Sequence, residues 1–277
     1  MKYDPSRTLT LRKKFQQKLS ARFKILQKEI NELLIKRDVF GLTRKTIVLT
    51  GNVASDVPAK AWSFLSDERK MEEFEAWLAE ETGLVIAPQG DVWQEYIEEG
   101  YRKGAGRAFD QYYKTESKDG NEAMTLRGRK LQAMGLNAPE SKEKVKLLAK
   151  RLFTDLQGVT DVMAVQIRKE MLDGLVQGDN PRTIGRRIAA RTGQSVKHAQ
   201  RIARTVIIRA HAEGQLDALE RLGVEQVGVM VEWSTAGDDR VCPLCEPLNG
   251  QVFKIKEAHG MIPLHPNCRC AFMPALP

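Results

Sequence analysis

Between residues 9 and 37 apolar side chains recur every three or four positions: Leu11, Phe15, Leu19, Phe23, Leu26, Ile30 and Leu33. That spacing gathers them on one stripe of an α-helix. Lys13, Lys14, Lys18, Arg22, Lys24 and Lys28 spread over the rest of its surface. A stripe of that kind must be covered, either by the body of the protein or by an assembly partner. Residues 38–60 are less regular, with Gly41, Gly51 and Pro58, and TIVLT at 46–50 reads as a short strand. Helical patterns resume near 59–82 and at 90–115. In the second, Trp93, Ile97, Tyr101 and Ala105 form one side, extended by Phe109 and Tyr112, and these aromatics read as core. ESKDG at 116–120 reads as a loop, and 121–134 as a shorter helix.

From residue 141 the pattern predicts four helices joined by tight turns. The first opens at Pro139-Glu140-Ser141 and runs to about Leu156. The second starts at Thr160, a good cap oxygen followed by Asp161, and ends before Gly178. The third is opened by Asn180-Pro181, a cap followed by proline at the first helical position, and Thr192-Gly193 ends it. The fourth opens at Ser195 and should stop at Gly223. Beyond it the period changes: Val227, Val229, Val231 and Trp233 alternate as in a strand, although Met230 blurs the other face. Residues 224–277 are therefore a small appendage of strands and loops, with too little core to stand alone. The expected fold class is α+β, mainly α. It has an extended N-terminal helical region, a helical middle and a small C-terminal strand/loop appendage.

Composition fits a folded protein, with 42% hydrophobic and 29% charged residues. No apolar run is long enough to span a membrane, and the basic start lacks the pattern of a secretory signal. Without export a disulfide framework is not expected. The net charge of +8 is unevenly placed. Residues 1–50 hold thirteen Lys or Arg against four acids, and residues 61–100 hold eleven acids against two bases. Residues 181–210 hold eight basic side chains and no acid. Such segments suit contact with polyanions. Arg182, Arg186, Arg187 and Arg191 form the first candidate group for DNA phosphates, and Lys13, Lys14 and Lys18 the second. Either group could instead meet acidic protein surfaces.

All 4 cysteines lie in the tail. Cys242-Pro-Leu-Cys245 has the spacing that turns two sulfurs into one tight loop. His265-Pro-Asn-Cys268-Arg-Cys270 supplies three further donors. Zinc takes four Cys or His ligands in a tetrahedron, and the separation of the two halves is finger-like. Cys242, Cys245 and Cys268 are the firmest ligands, with His265 or Cys270 as the fourth. The alternatives are buried reduced thiols, disulfides formed in an oxidising medium, or a CxxC redox pair. Asp238, Asp239 and His259 are available to a catalytic metal, but none sits in a catalytic motif, and Asp238-Asp239 after Gly237 reads as a polar turn.

The strings WSTAGDDRVCPLC at 233–245 and PLHPNCRC at 263–270, with Leu248, Gly250 and Phe253 between them, resemble the C-terminal signature of the phage head morphogenesis family. These are minor capsid proteins similar to the Mu F protein and the SPP1 minor head protein. IARTVIIRAHAEGQLDALERLGV at 202–224 and LVQGDNPRTIGRRIAARTG at 175–193 resemble the helices preceding that signature. A fainter likeness rests on DPSRTLTLRKKF and GYRKGAGRAFD in the first half. One departure is Val206, where many relatives carry Glu after the Arg-Thr of the long helix. The chain then divides into three regions: a basic N-terminal helix and linker at 1–60, a helical region at 61–140, and, as the resemblance implies, a Mu F-like domain at 141–277. The last comprises helices at 141–223 and the Cys-rich tail at 224–277. The resemblance implies a non-enzymatic late protein of a tailed-phage head, in the capsid interior near the portal, made in the host cytoplasm. The implied partners are the portal protein, a capsid or scaffold protein and non-specifically bound double-stranded DNA. The implied tasks are head assembly and DNA packaging or delivery. Removing residues 1–40 would then test whether the N-terminal helix recruits the protein. Two other classes remain: a zinc-containing DNA-binding regulator, which would discriminate between base sequences, and a metal-dependent enzyme, which would lose turnover to a chelator.

Overall fold

The computed structural model describes residues 4–42, 64–86, 92–116, 138–222 and 230–275. The expected strand at 46–50, the loop at 116–120 beyond its first residue, the helix at 121–134, Val227, Val229 and Gly223 lie outside them.

Helix α1 spans Leu9–Asn31 and continues into a π-helical turn, Glu32–Lys36. Asp4 opens it: one carboxylate oxygen accepts the Leu9 N–H at 2.9 Å and pairs with Arg12 at 2.9 Å. The stripe from Leu11 through Ile30 is buried. Phe15 stacks on Tyr96 with ring centroids 4.7 Å apart. The cover is thus the protein's own chain, and deleting residues 1–40 would strip core rather than an outer docking helix. At the end of the stripe Leu34, not Leu33, is buried. A π turn carries more residues than an α turn, so the inward position slips by one.

Helices α2 (Phe64–Ile86) and α3 (Val92–Glu116) follow. Trp93, Ile97, Tyr101, Ala105, Phe109 and Tyr112 are all buried, as core. The remaining two long helices are α4 (Pro139–Gln177) and α5 (Pro181–Arg221). They replace the four shorter helices expected from the sequence. The expected break at Asn180-Pro181 is real. Asn180 Oδ1 accepts the Thr183 N–H at 2.9 Å, and Gly178 ends α4 at φ +69°, where only glycine is unstrained. The other two breaks are absent. Thr160, Thr192 and Ser195 turn their hydroxyls back onto the carbonyls of Gln157, Ile188 and Arg191, inside continuous helices. A hydroxyl satisfied that way caps nothing.

The chain forms two compact units. One comprises Met1–Lys18, Pro88–Asp155 and Ala199–Pro277; the other comprises Leu19–Ala87 and Leu156–His198. In the first, α3 and α5 touch backbone to backbone. A Cβ on Gly104 would collide with the His211 carbonyl, and one on Gly214 with the Tyr101 carbonyl.

The tail packs on this unit as a three-stranded antiparallel sheet in the order β2-β1-β3: β1 is Met230–Ser234, β2 Val252–Phe253 and β3 Ala271–Ala275. Register pairs Trp233 with Phe272, whose rings meet edge to face at 5.8 Å. Alternation puts Val231 and Trp233 inward, as expected from the sequence. Gln215 on α5 donates to the Phe272 carbonyl at 2.8 Å and accepts its N–H, tying β3 to the helix. The sheet and the one-turn helix α6 (Ile255–Ala258) share a core with Ala105, Phe109, Ile208, Ala212 and Leu216.

Candidate metal centre and charged surfaces

Two tight turns present the metal donors. In the first, the Cys245 N–H bonds the Cys242 carbonyl at 3.0 Å, and a 3-10 turn, Glu246–Leu248, follows. In the second, the Cys268 N–H bonds the His265 carbonyl at 3.1 Å, with Asn267 at φ +65°. Asparagine is among the few side chains that tolerate that region. Asn267 also donates its N–H to Thr205 on α5 at 3.2 Å, which seats this turn on the helix. The two turns are joined by Asp238, whose carboxylate takes both guanidinium ends of Arg269, one of them at 2.7 Å. It also accepts from Arg240. These arginines hold the Asp238 carboxyl far below the usual range. Asp238 is therefore a clamp between the two cysteine turns.

The five donors converge. His265 Nε2 lies 3.0 Å from the Cys242 sulfur and 3.2 Å from that of Cys245. The Cys245 and Cys268 sulfurs are 4.0 Å apart. Two Zn–S bonds of about 2.3 Å at a tetrahedral angle would separate sulfurs by about 3.8 Å. A cavity of about 20 Å3, lined by Cys242, Cys245, His265 and Cys270 among others, lies at the junction. The donors form two overlapping triads that share Cys245: Cys242, Cys245 and His265, then Cys245, Cys268 and Cys270. All four cysteines are free, with Cys245, Cys268 and Cys270 buried. The His265 tautomer also fits a ligand. Its Nδ1 lies 2.8 Å from the Pro266 carbonyl. A carbonyl only accepts, so Nδ1 carries the proton and Nε2 keeps its lone pair for the sulfur side. A hydrogen bond from Cys270 holds the Cys268 thiol low, whereas burial pushes that of Cys245 up. A dication is what lets several buried thiolates coexist. The cluster can coordinate a metal ion, and its sulfur and nitrogen donors suit zinc.

A second polar cluster escaped the sequence reading. Glu213 and Asp217 on α5 are nearly buried, and His259 faces them from the loop after α6. Glu213 accepts from His259 at 2.8 Å and from the Gly260 N–H at 2.9 Å. Asp217 takes a short bond from the Tyr101 hydroxyl and pairs with Lys144 at 2.7 Å. The available signal was Glu213, Asp217 and Glu220 at helical spacing in an otherwise apolar segment. These three groups, Glu213, Asp217 and His259, could surround an ion. Lys144, however, already supplies positive charge to both carboxylates, so the cluster acts as an internal ion network.

This network yields a pH prediction. The Glu213 hydrogen bond raises the His259 pKa above 6.5, with Asp217, Glu220 and Lys144 as the other charges facing it. The latch is therefore complete below about pH 6.5 and is lost as pH rises through the raised folded value. Thermal stability should fall between pH 6 and 9, and His259→Gln should flatten that fall. An unchanged profile in the variant would remove the latch.

The basic candidates separate on inspection. Arg187 pairs with Glu170 at 3.1 Å and Asp179 at 2.8 Å, and Arg191 with Glu170 at 2.8 Å. Arg182 and Arg186 are exposed, Arg186 touching Thr183 at 3.4 Å. Lys13, Lys14 and Lys18 are exposed along α1. Glu170 is nearly buried, so Arg187→Ala should cost about 1–2 kcal/mol of stability, between the surface and buried limits for ion pairs. A thermal melt checks this, and an unchanged midpoint would return Arg187 to the free cations.

Among the described residues no helix is long and apolar enough to cross a membrane. Residues 165–273 match the family model described as Phage Mu protein F like protein. That span covers the end of α4, all of α5, and the tail through most of β3. Neither the curated proteins nor the solved structures contain a match. The match supports a general structural or morphogenetic role; the segment from α4 to β3 is thus similar to the Phage Mu protein F like family.

Proposed function

We propose that this protein is a minor structural component of a tailed-phage head. It works at the portal and capsid interior during head assembly and DNA packaging or delivery. The observation that carries the proposal is the family match, which spans the long helix α5 and the whole Cys/His cluster. In this role one structural zinc, held by Cys242, Cys245, Cys268 and either His265 or Cys270, fastens the two cysteine turns of the tail together. The metal supplies folding free energy and no chemistry. The chain leaves Cys270 directly into β3, so a strand stands where a zinc-finger regulator places the helix that enters a DNA groove.

DNA contact would be through phosphates, without base readout. Arg182, Arg186, Lys13, Lys14 and Lys18 are the exposed cations for it. If they neutralise about five phosphates, log affinity should fall with log salt at a slope of about −4 to −5. Replacing Arg182 and Arg186 together should shrink that slope by nearly two, and an unchanged slope would move them to a protein interface. The role itself is tested by mass spectrometry of purified procapsids and mature heads. The protein should be present in both or lost on maturation, in low copy number. Its absence from both would end the proposal.

A further inference from the structure

Within the unit formed by Leu19–Ala87 and Leu156–His198, helix α4 is apolar on two opposite faces. Its inner face, with Met163, Ile167 and Met171, is fully buried. Its outer face carries Val162, Val165, Leu172 and Val176, exposed by 58, 60, 43 and 83%. A helix that is apolar all round is ordinarily covered all round. We propose that the outer face of α4 pairs, antiparallel, with the same face of a second copy of this chain.

Spacing carries the argument first. Positions 162, 165, 169, 172 and 176 step by three and four in alternation, the repeat that keeps one seam facing another helix. Single exposed apolar side chains are normal on a protein surface. Here four share one repeat and one face, along about 21 Å of helix. Propensity points the same way. Valine is a poorer helix former than alanine, leucine, lysine or glutamate, so three exposed valines weaken an uncovered helix. Burial against a second helix offsets that loss.

Charge then selects the occupant and its direction. The one seam position that is not apolar is Lys169, and Asp173 lies beside the seam one turn further on; both are exposed. Neither enters an ion pair of the described residues. On a single helix, lysine four residues before an acid is the weaker order of such a pair. In a parallel pair of helices Lys169 would face its own copy. In the antiparallel pair, aligned so that Val165 of one copy meets Val176 of the other, Lys169 packs beside Leu172 and reaches Asp173 across the seam. The two-fold makes that contact twice. A lone lysine at a seam position fixes register in this way, and a face complementary to itself is what a two-fold interface requires. The contact is small beside the roughly 800 Å2 per partner of a standard interface, so the pairing is weak and depends on concentration.

The test is sedimentation velocity of the full-length protein, free of nucleic acid, over a concentration series. The wild type should pass from monomer to dimer. Val165→Glu with Leu172→Glu should weaken the dimer at least tenfold. Ile25→Glu, at an exposed apolar position on α1, should change it less than twofold. Circular dichroism should show both variants folded, since every substituted side chain is exposed. Lys169→Asp and Asp173→Lys should each weaken self-association, and mixing these two variants should restore a dimer, because each then meets the opposite charge. Recovery in the mixture assigns the second copy as occupant and α4 as the contact. Wild-type protein that stays monomeric throughout overturns the proposal and leaves the stripe to a different partner. A dimer that survives Val165→Glu with Leu172→Glu, or no recovery on mixing, overturns it as well. None of these results bears on whether the protein resides in a phage head.

Discussion

Chelating the metal from the full-length protein should release residues 230–275 from the helices while α1 to α5 remain helical. The sheet has three strands, one of only two residues. The buried side chains of the tail, chiefly Val231, Trp233, Ile255, Ile262 and Phe272, contribute about 1.5–3 kcal/mol each on burial. Ordering roughly forty residues costs more than that. A structural zinc adds on the order of 10 kcal/mol of coupled binding and folding free energy, comparable with the whole stability of a small domain. Limited proteolysis should therefore cut within 230–275 after chelation and spare it before. Helical circular dichroism should change little. A tail that stays protease-resistant without metal would show that packing and the Asp238–Arg269 clamp suffice.

Gly104→Ala should be the most damaging single methyl addition in the described structure. In an open helix interior alanine is better than glycine by about 1 kcal/mol. At Gly104 the added carbon meets the His211 backbone carbonyl, which cannot rotate aside as a side chain would. Either α3 and α5 separate, or the contact is lost. Overpacking by one carbon costs about 1–3 kcal/mol where side chains can adjust, and a backbone obstacle puts this site at the upper end or beyond. The expected net loss is roughly 3 kcal/mol, a fall in Tm of about 6–12 °C for a chain of this size. The same substitution at Gly158 or Gly193, where a Cβ meets nothing within 4 Å, should raise Tm slightly. Equal effects at all three positions would refute the close approach of α3 and α5.

Local patterns were readable where one face decides a helix. The stripe of α1, the core face of α3, the Asn180-Pro181 start and the inward pair Val231 and Trp233 follow from spacing alone. The donor set was readable because zinc ligands must be Cys or His at short range. What spacing could not show was how helices meet. Thr160 and Ser195 have the chemistry of caps, but a hydroxyl satisfied by its own helix leaves no break. Gly104 and Gly214 look like helix weaknesses until the carbonyls opposite them are known. Arg187 and Arg191 look like free cations until Glu170 is placed between them. Glu213 and Asp217 meet Lys144 and His259 only through tertiary packing.

The most direct measurement is the metal content of the full-length protein purified without added metal, compared with single variants of the cluster. One zinc per chain is expected in the parent, and none in Cys245→Ser, since Cys245 belongs to both donor triads. Cys242→Ser and Cys268→Ser should also lose it, and of His265→Ala and Cys270→Ser one should lose it and the other keep it. Zinc-free protein whose residues 230–275 nonetheless resist protease would contradict the account and leave the four cysteines as packed thiols.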